Sequence, residues 1–536
     1  MRKLFVFLAC ALLVSYSTQA LVNPLLQDRT VTFADDILGD LTNLDAEEIE
    51  KYSLPVGTNG NIPMCSPGTP DYFKFLGVTT ATLTPANPTK IVETSCFKQT
   101  TFTLQWKDAR TAKINFQNSG KKNLFCADHY LATTLISFDI HTNWMYLTSS
   151  VTYKFKTDEE AALAKSQGIS IILVCDSWLN IIPDLIKTAT LFIPDILAAK
   201  SITLPAFVKS YIVKRTYNFL MKYTGADIKP RKQKVAISEE YIRQYVKSGD
   251  ILTLRGGASG LSAAIFYATG GPVSHTAIAM WDDLQADKLW ILEANDKGLI
   301  RMELEEWYAS YNGDIAWLHL SEESRAKFSP EKAWKWFRSI ENLAYGIHNF
   351  AYTLIDDPLH NFDFIKDINS AVLAFNFMDM LLPGINHMII GESLNVRLGT
   401  KDLKFSELLY EMDRRNTNLV EVMSRPELDG WIYDSDQNYV CSCLAIKMLL
   451  EGGLMEGLTI NSHEFTPRDV FMTQLFETDP KKMPALCQQN DPGLPFCQMK
   501  GNYAIDPKLY NTIKPYSHMN DNCPSIPPLW YRPPNC

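Results

Sequence analysis

The sequence has no dense run of lysine or arginine, and its formal net charge is −9 over 536 residues. It therefore offers no positive footprint for a phosphate backbone or an anionic membrane, and nucleic acid is not an expected partner. Beyond the N-terminus it also lacks an uninterrupted apolar stretch of membrane-spanning length. The most apolar later region, residues 181–212, is broken by Asp184, Lys187, Asp195, Lys200 and Lys209, so no transmembrane span is expected and buried or amphipathic helix is. No Cys-x-x-Cys pair and no cluster of histidines is present, which argues against a zinc site. The glycines at 256, 257 and 260 lack the Gly-Lys-Ser/Thr continuation of a phosphate loop, and Ser259 lacks the second glycine of a serine nucleophile elbow. Asp434 and Asp436 alone supply too few oxygens for calcium. Neither a metal nor an organic cofactor is expected.

What the sequence does have begins at its first residues. Met1, Arg2 and Lys3 precede an apolar run over residues 4–14, and Thr18 and Ala20 supply small side chains for cleavage before Leu21. This pattern predicts a signal peptide over residues 1–20, hence export to the extracellular space or a vacuolar-lysosomal lumen. The cysteines agree with an oxidising destination. Of the 11, Cys10 leaves with the signal peptide. Cys65, Cys96, Cys126 and Cys175 form one even set, and Cys487, Cys497, Cys523 and Cys536 another, each able to make two disulfides. Cys441 and Cys443 are left over, to be a buried thiol, a further disulfide or a nucleophile.

The chain is long enough, at 46% hydrophobic residues, for two or three domains. Near-alternating Thr, Val, Tyr and Phe over residues 102–106, 111–116 and 143–155 predict a small antiparallel sheet closed by disulfides. Helical signals follow from Asp158 to about Tyr223. The basic stretch Lys229 to Lys234, containing Pro230, reads as a linker. The expected fold class is α+β. Residues 21–235 form an N-terminal β-rich and helical domain of unassigned role, 236–475 a second domain, and 476–536 a disulfide-rich C-terminal extension.

Chemistry concentrates in the second domain. Residues 251–254 predict a strand, and His275 opens another short apolar strand. A charged turn follows, then a strand through residues 289–294 that contains Glu293. With the turn centred near Gln285, position 293 faces 277, and His275 and Glu293 project from one face. Asn295 shares that face and is an alternative partner for the imidazole. Ser329 and Pro330 mark a helix start. Residues 438–453 read as an irregular approach, an apolar helix and a glycine stop, with Cys441 at the helix N-terminus. Unpaired N–H groups and the helix dipole there favour a thiolate and can hold an oxyanion. A histidine beside it would pair with the thiolate and pass protons, and a carboxylate would fix its tautomer. Cys443 would point about 200 degrees away around the helix.

These pieces resemble the circularly permuted papain-like cysteine hydrolases and acyltransferases of the NlpC type, including the YiiX-like and lecithin:retinol acyltransferase-like branches. The resemblance rests on Gly249, Asp250, Ile251 and Leu252, on Ser274 with His275, on Glu293 with Ala294, and on Cys441 with Ser442. Tyr345, Gly346, Ile347, His348, Asn349 and Phe350 are similar to a segment of exported eukaryotic members, as are Leu428, Asp429, Gly430 and Trp431. It covers roughly residues 240–470 and departs from the family pattern at Cys443. It implies a permuted papain-like domain, an antiparallel sheet or half-barrel packed on helices. It also implies a thiol hydrolase acting on a peptide, amide or acyl-lipid substrate through a thioester on Cys441, with His275 as base and Glu293 as third residue. The same site could serve acyl transfer, and a non-catalytic binding or scaffold protein is the remaining alternative.

Overall fold

The computed structural model describes residues 78–94, 96–122, 127–134, 138–143, 148–174, 228–256, 271–295, 297–311, 313–346, 386–423 and 438–516. It also describes the single positions 214, 217, 262, 265, 266, 269, 372, 375, 376 and 379. The expected signal peptide, residues 181–212, His348, residues 428–431, Asp434, Asp436 and the cysteines at 65, 126, 175, 523 and 536 lie outside the described residues. The fold is mixed α+β with several antiparallel sheets. No helix among the described residues is long and apolar enough to cross a membrane.

Among the described residues the first part contains eight strands: β1 (Val78–Leu83), β2 (Thr89–Val92), β3 (Phe97–Asp108), β4 (Thr111–Lys121), β5 (Asp128–Thr133), β6 (Phe138–Asn143), β7 (Thr148–Lys154) and β8 (Ile169–Val174). They form two four-stranded sheets, ordered β2-β3-β4-β7 and β1-β8-β5-β6. The sequence alternation explains the arrangement: Ala112, Ile114 and Phe116 of β4 point inward, while Thr111, Lys113 and Asn115 are more exposed. The inward residues of both sheets share one core with Ala161 and Ala164 of α1 (Asp158–Ser166). The helical reading from Asp158 holds to Ser166 and is corrected over residues 169–174, while residues 175–213 lie outside the described residues. Gly168, at φ +88°, stops the helix, and the β-branched run that follows becomes β8, buried along its whole length between β1 and β5.

The second part is built on a six-stranded antiparallel sheet ordered β13-β12-β11-β10-β14-β15. Before it come β9 (Lys229–Pro230) and α2 (Glu239–Tyr245). The strands of the sheet are β10 (Ile251–Arg255), β11 (His275–Trp281), β12 (Leu289–Asn295), β13 (Gly298–Glu303), β14 (Asp314–Leu318) and β15 (Cys497–Lys500). β16 (Tyr503–Ala504) pairs with β9, so the basic stretch read as a linker is docked, with Arg231 buried in an ion pair to Asp491. β15 brings the C-terminal extension into the central sheet, and its Cys497 is bridged to Cys487. Cys96 is disulfide-bonded as well.

Both faces of this sheet are covered, which is why its strands read as continuous apolar runs. Ile251, Ile278, Met280, Leu292 and Leu318 pack on one face with α4 (Pro330–Ile340) and α6 (Cys441–Glu451). Leu252, Leu254, Ala277, Ala279, Ile291 and Trp317 pack on the other with α2 and α3 (Leu304–Ser310). Ser329 caps α4 as the sequence suggests, its hydroxyl accepting from the Lys332 N–H, and Gly452 caps α6. The intervening α5 (Phe405–Arg414) reaches back to the first part, where Gln167 donates to Asp413 at 3.3 Å.

Two buried anions pin the sheet at opposite ends of β10. Asp250 at the start accepts from the Trp317 indole at 2.9 Å, from the Leu320 N–H at 3.1 Å and from Arg325. Asp314 receives the Arg255 guanidinium, the Tyr217 hydroxyl at 2.7 Å and the Tyr503 N–H at 3.1 Å.

Candidate active site

The hairpin register places Ile278 opposite Leu292 and Ala279 opposite Ile291. Continued one step, it sets Glu293 across from Ala277, so His275 and Glu293 share the face that also bears Ala277 and Ile291. The two side chains meet: His275 Nε2 lies 2.9 Å from Glu293 Oε2. The imidazole is part-exposed, with 19% of its side chain accessible, whereas the carboxylate is 1% accessible. Asn295 does not touch the ring. Its amide donates to Glu293 Oε1 at 2.6 Å, and its own oxygen accepts from the Lys297 N–H.

Cys441 is the first residue of α6, after Val440, which offers no side-chain cap. Its thiol is therefore the group nearest the helix's unpaired N–H donors. His275 and the backbone N–H groups of Thr276 and Ser442 are the neighbours that favour its thiolate. With Nε2 held by Glu293, Nδ1 is the ring nitrogen left for sulfur. Burial opposes ionisation of the thiol, but the His275 charge and these donors outweigh it and bring its pKa below the ordinary thiol value. Burial likewise opposes the imidazolium, yet the Cys441 thiolate and Glu293 raise its pKa to about 10. Both shifts favour the thiolate–imidazolium form of the pair.

Cys441 and Cys443 are both unbridged, which removes the option of a disulfide between them. Cys443 faces the core, where its thiol donates to the His463 carbonyl at 3.1 Å. Burial and the neighbouring Cys441 charge push its pKa well above the usual thiol range, leaving it a neutral packing group.

Three participants lie beyond the residues picked out chemically from sequence. Trp307 of α3 donates its indole N–H to Glu293 Oε2 at 2.9 Å, and Tyr311, which closes α3, donates its hydroxyl to the same oxygen at 2.9 Å. Tyr345 lies beside Cys441; burial and the thiolate hold its own pKa well above 10. Its segment is fixed by backbone. Leu299 N–H donates to Leu343 O at 2.9 Å, Gly346 N–H donates to Tyr439 O at 3.0 Å, and Tyr345 bridges Tyr439 in parallel.

Gly346 is required for that approach, because a Cβ there would lie 2.8 Å from the Asn438 oxygen and 3.0 Å from the Tyr439 carbonyl carbon. Backbone atoms cannot swing aside as a side chain can. Gly346→Ala is expected to displace Tyr345, to lower stability by about 1–3 kcal/mol, and to slow alkylation of Cys441 more than any surface substitution, measured by thermal unfolding and mass-spectrometric labelling.

The arrangement places a thiol whose ionisation is favoured beside a histidine that is held by a buried carboxylate. No protein-family model, curated protein or solved structure matches the chain.

Proposed function

We propose that this protein is an exported thiol hydrolase of the permuted papain-like kind, cleaving amide, peptide or acyl-ester bonds. One observation supports the reading above the rest. A buried, unbridged cysteine at a helix N-terminus has its thiolate favoured by a histidine whose Nε2 is held by a buried carboxylate. A structural thiol needs none of these partners, as Cys443 illustrates.

In the proposed reaction the Cys441 sulfur attacks the substrate carbonyl carbon. A C–S bond forms, and the carbonyl π pair moves onto oxygen, facing the unpaired N–H groups at the start of α6. Collapse of this intermediate breaks the C–N or C–O bond, and the departing nitrogen or oxygen takes the proton from His275. Water, deprotonated by the now neutral imidazole, then attacks the thioester carbonyl, releasing the acid and restoring the ion pair.

The test is exposure of the purified protein to iodoacetamide across pH, followed by a panel of labelled amides and acyl esters. Fast labelling at Cys441 below pH 8, and turnover abolished by Cys441→Ala, are the expected results. A Cys441 that labels no faster than an ordinary thiol would sink the reading.

A further inference from the structure

Glu293 is more heavily engaged than an orienting carboxylate needs to be. Its Oε2 is approached by three donors, His275 Nε2, Trp307 Nε1 and Tyr311 Oη, each at 2.9 Å, and its Oε1 by the Asn295 amide at 2.6 Å. Two of the three donors on Oε2 come from one short helix and its last turn. α3 lies on the face of the sheet that His275 and Glu293 share, and Trp307 is fully buried there among Leu254, Ala277 and Ile291. Tyr311 does more than donate. Its ring stacks on the imidazole, centroids 5.9 Å apart at 25°, and its oxygen is 3.4 Å from Nε2. Its ring and hydroxyl thus lie beside both partners of the His275–Glu293 hydrogen bond.

We propose that Trp307 and Tyr311 are positioning residues of this site, acting through Glu293: together they fix its carboxylate against His275 and shield that hydrogen bond from water. The inference rests on the thiol-hydrolase reading and deepens it by naming what sustains the ion pair. The physical reason is desolvation. A carboxylate 1% accessible to solvent loses its hydration, and a single imidazolium neighbour compensates only part of that loss. Neutral donors aimed at the same oxygen supply the remainder without adding a charge that would compete with the imidazolium. With them Glu293 stays ionised below the ordinary carboxylate range despite burial, which opposes it; His275, Trp307 and Tyr311 provide the opposing stabilisation. The titratable groups facing Glu293 are His275 from β11 and Tyr311 after α3, with Cys441 beyond the imidazole.

The experiment is the pH profile of Cys441 carboxamidomethylation in the full chain, comparing Trp307→Phe and Tyr311→Phe in the native and the Glu293→Gln backgrounds. Each change removes a donor and keeps a ring. In the native background each is expected to move the acid midpoint upward by about half to one pH unit, because Glu293 takes up a proton earlier. In the Glu293→Gln background the shift should vanish, since nothing remains to titrate. A purely structural role would lower rates at every pH and leave the midpoint in place, and this outcome overturns the proposal. Equal shifts in both backgrounds overturn it too. Should Trp307→Phe not fold, Tyr311→Phe decides alone, its side chain being part-exposed. A native protein whose Cys441 is no more reactive than an ordinary thiol removes the hydrolase reading and the inference with it. A reactive, His275-dependent Cys441 with unmoved midpoints removes the inference only.

Discussion

His275→Ala is expected to lower alkylation of Cys441 at pH 6 by about a hundredfold, because a buried thiol without its imidazolium titrates at or above about 8.5. Turnover should fall further, by about 10² to 10⁴, since the proton for the leaving group is lost as well. The pH dependence follows from the direction of each shift. Cys441 is lowered and His275 raised to about 10, so the reactive pair exists between those limits. The imidazolium contribution to stability is whole below its unfolded value near 6.5 and is lost as pH rises through about 10. Turnover should therefore decline on the alkaline side near that pH. Glu293→Gln is expected to draw that decline to lower pH, since it removes the anion facing Nε2. Stopped-flow labelling and steady-state profiles of the three proteins check this. Identical rates in native and His275→Ala protein would dispose of the ion pair.

Asp314→Ala should be the most destabilising single change outside the hydrophobic core. The Arg255 and Asp314 side chains are 1% and 2% accessible, and the guanidinium would be left in the interior without a carboxylate, facing the carbonyls of Tyr503 and Ala504 and the Tyr217 ring. Removing one partner of such a buried pair typically costs about 3–5 kcal/mol. Replacing both, as in Arg255→Met with Asp314→Leu, should recover part of that loss. Because Leu254 pairs with His275, the damage lies next to that residue, and labelling of Cys441 should weaken alongside stability. Urea unfolding midpoints of the two variants decide the matter; equal midpoints would show that the charge pair is not what matters there.

Local chemistry made much of this readable in advance. The β11–β12 register could be reasoned out because a charged turn fixes where the hairpin reverses, and the period of two then sets which residues share a face. Ser329 with Pro330 and the glycine after Glu451 marked helix ends for equally local reasons. The cap-less position of Cys441 followed from the apolar run behind it. What could not be read depends on pairing across distance. Nothing local says that residues 169–174 are a strand between β1 and β5, or that 497–500 join the central sheet. Trp307 and Tyr311 were invisible as site residues because an aromatic on a short amphipathic helix reads as core. Their indole and phenol donors acquire meaning only once Glu293 is known to lie beneath them. Tyr345 stood in a segment noted for its resemblance, but its contact with Cys441 requires the backbone approach at Gly346.

The docking of Arg231 on Asp491 couples this architecture to the time it takes to make the chain. The two residues are 260 positions apart, and β15, on the edge of the central sheet, begins only at Cys497. At ribosomal speeds of about 5–20 residues per second, between about ten seconds and about a minute separates the synthesis of one partner from the other. During that interval Arg231 lacks Asp491, and β14, once made, lacks β15 on its outer edge. The half of the protein that holds Cys441 and His275 cannot close in the order in which it is translated, so a nascent chain passes through a stage with both site residues made and the sheet that frames them still open.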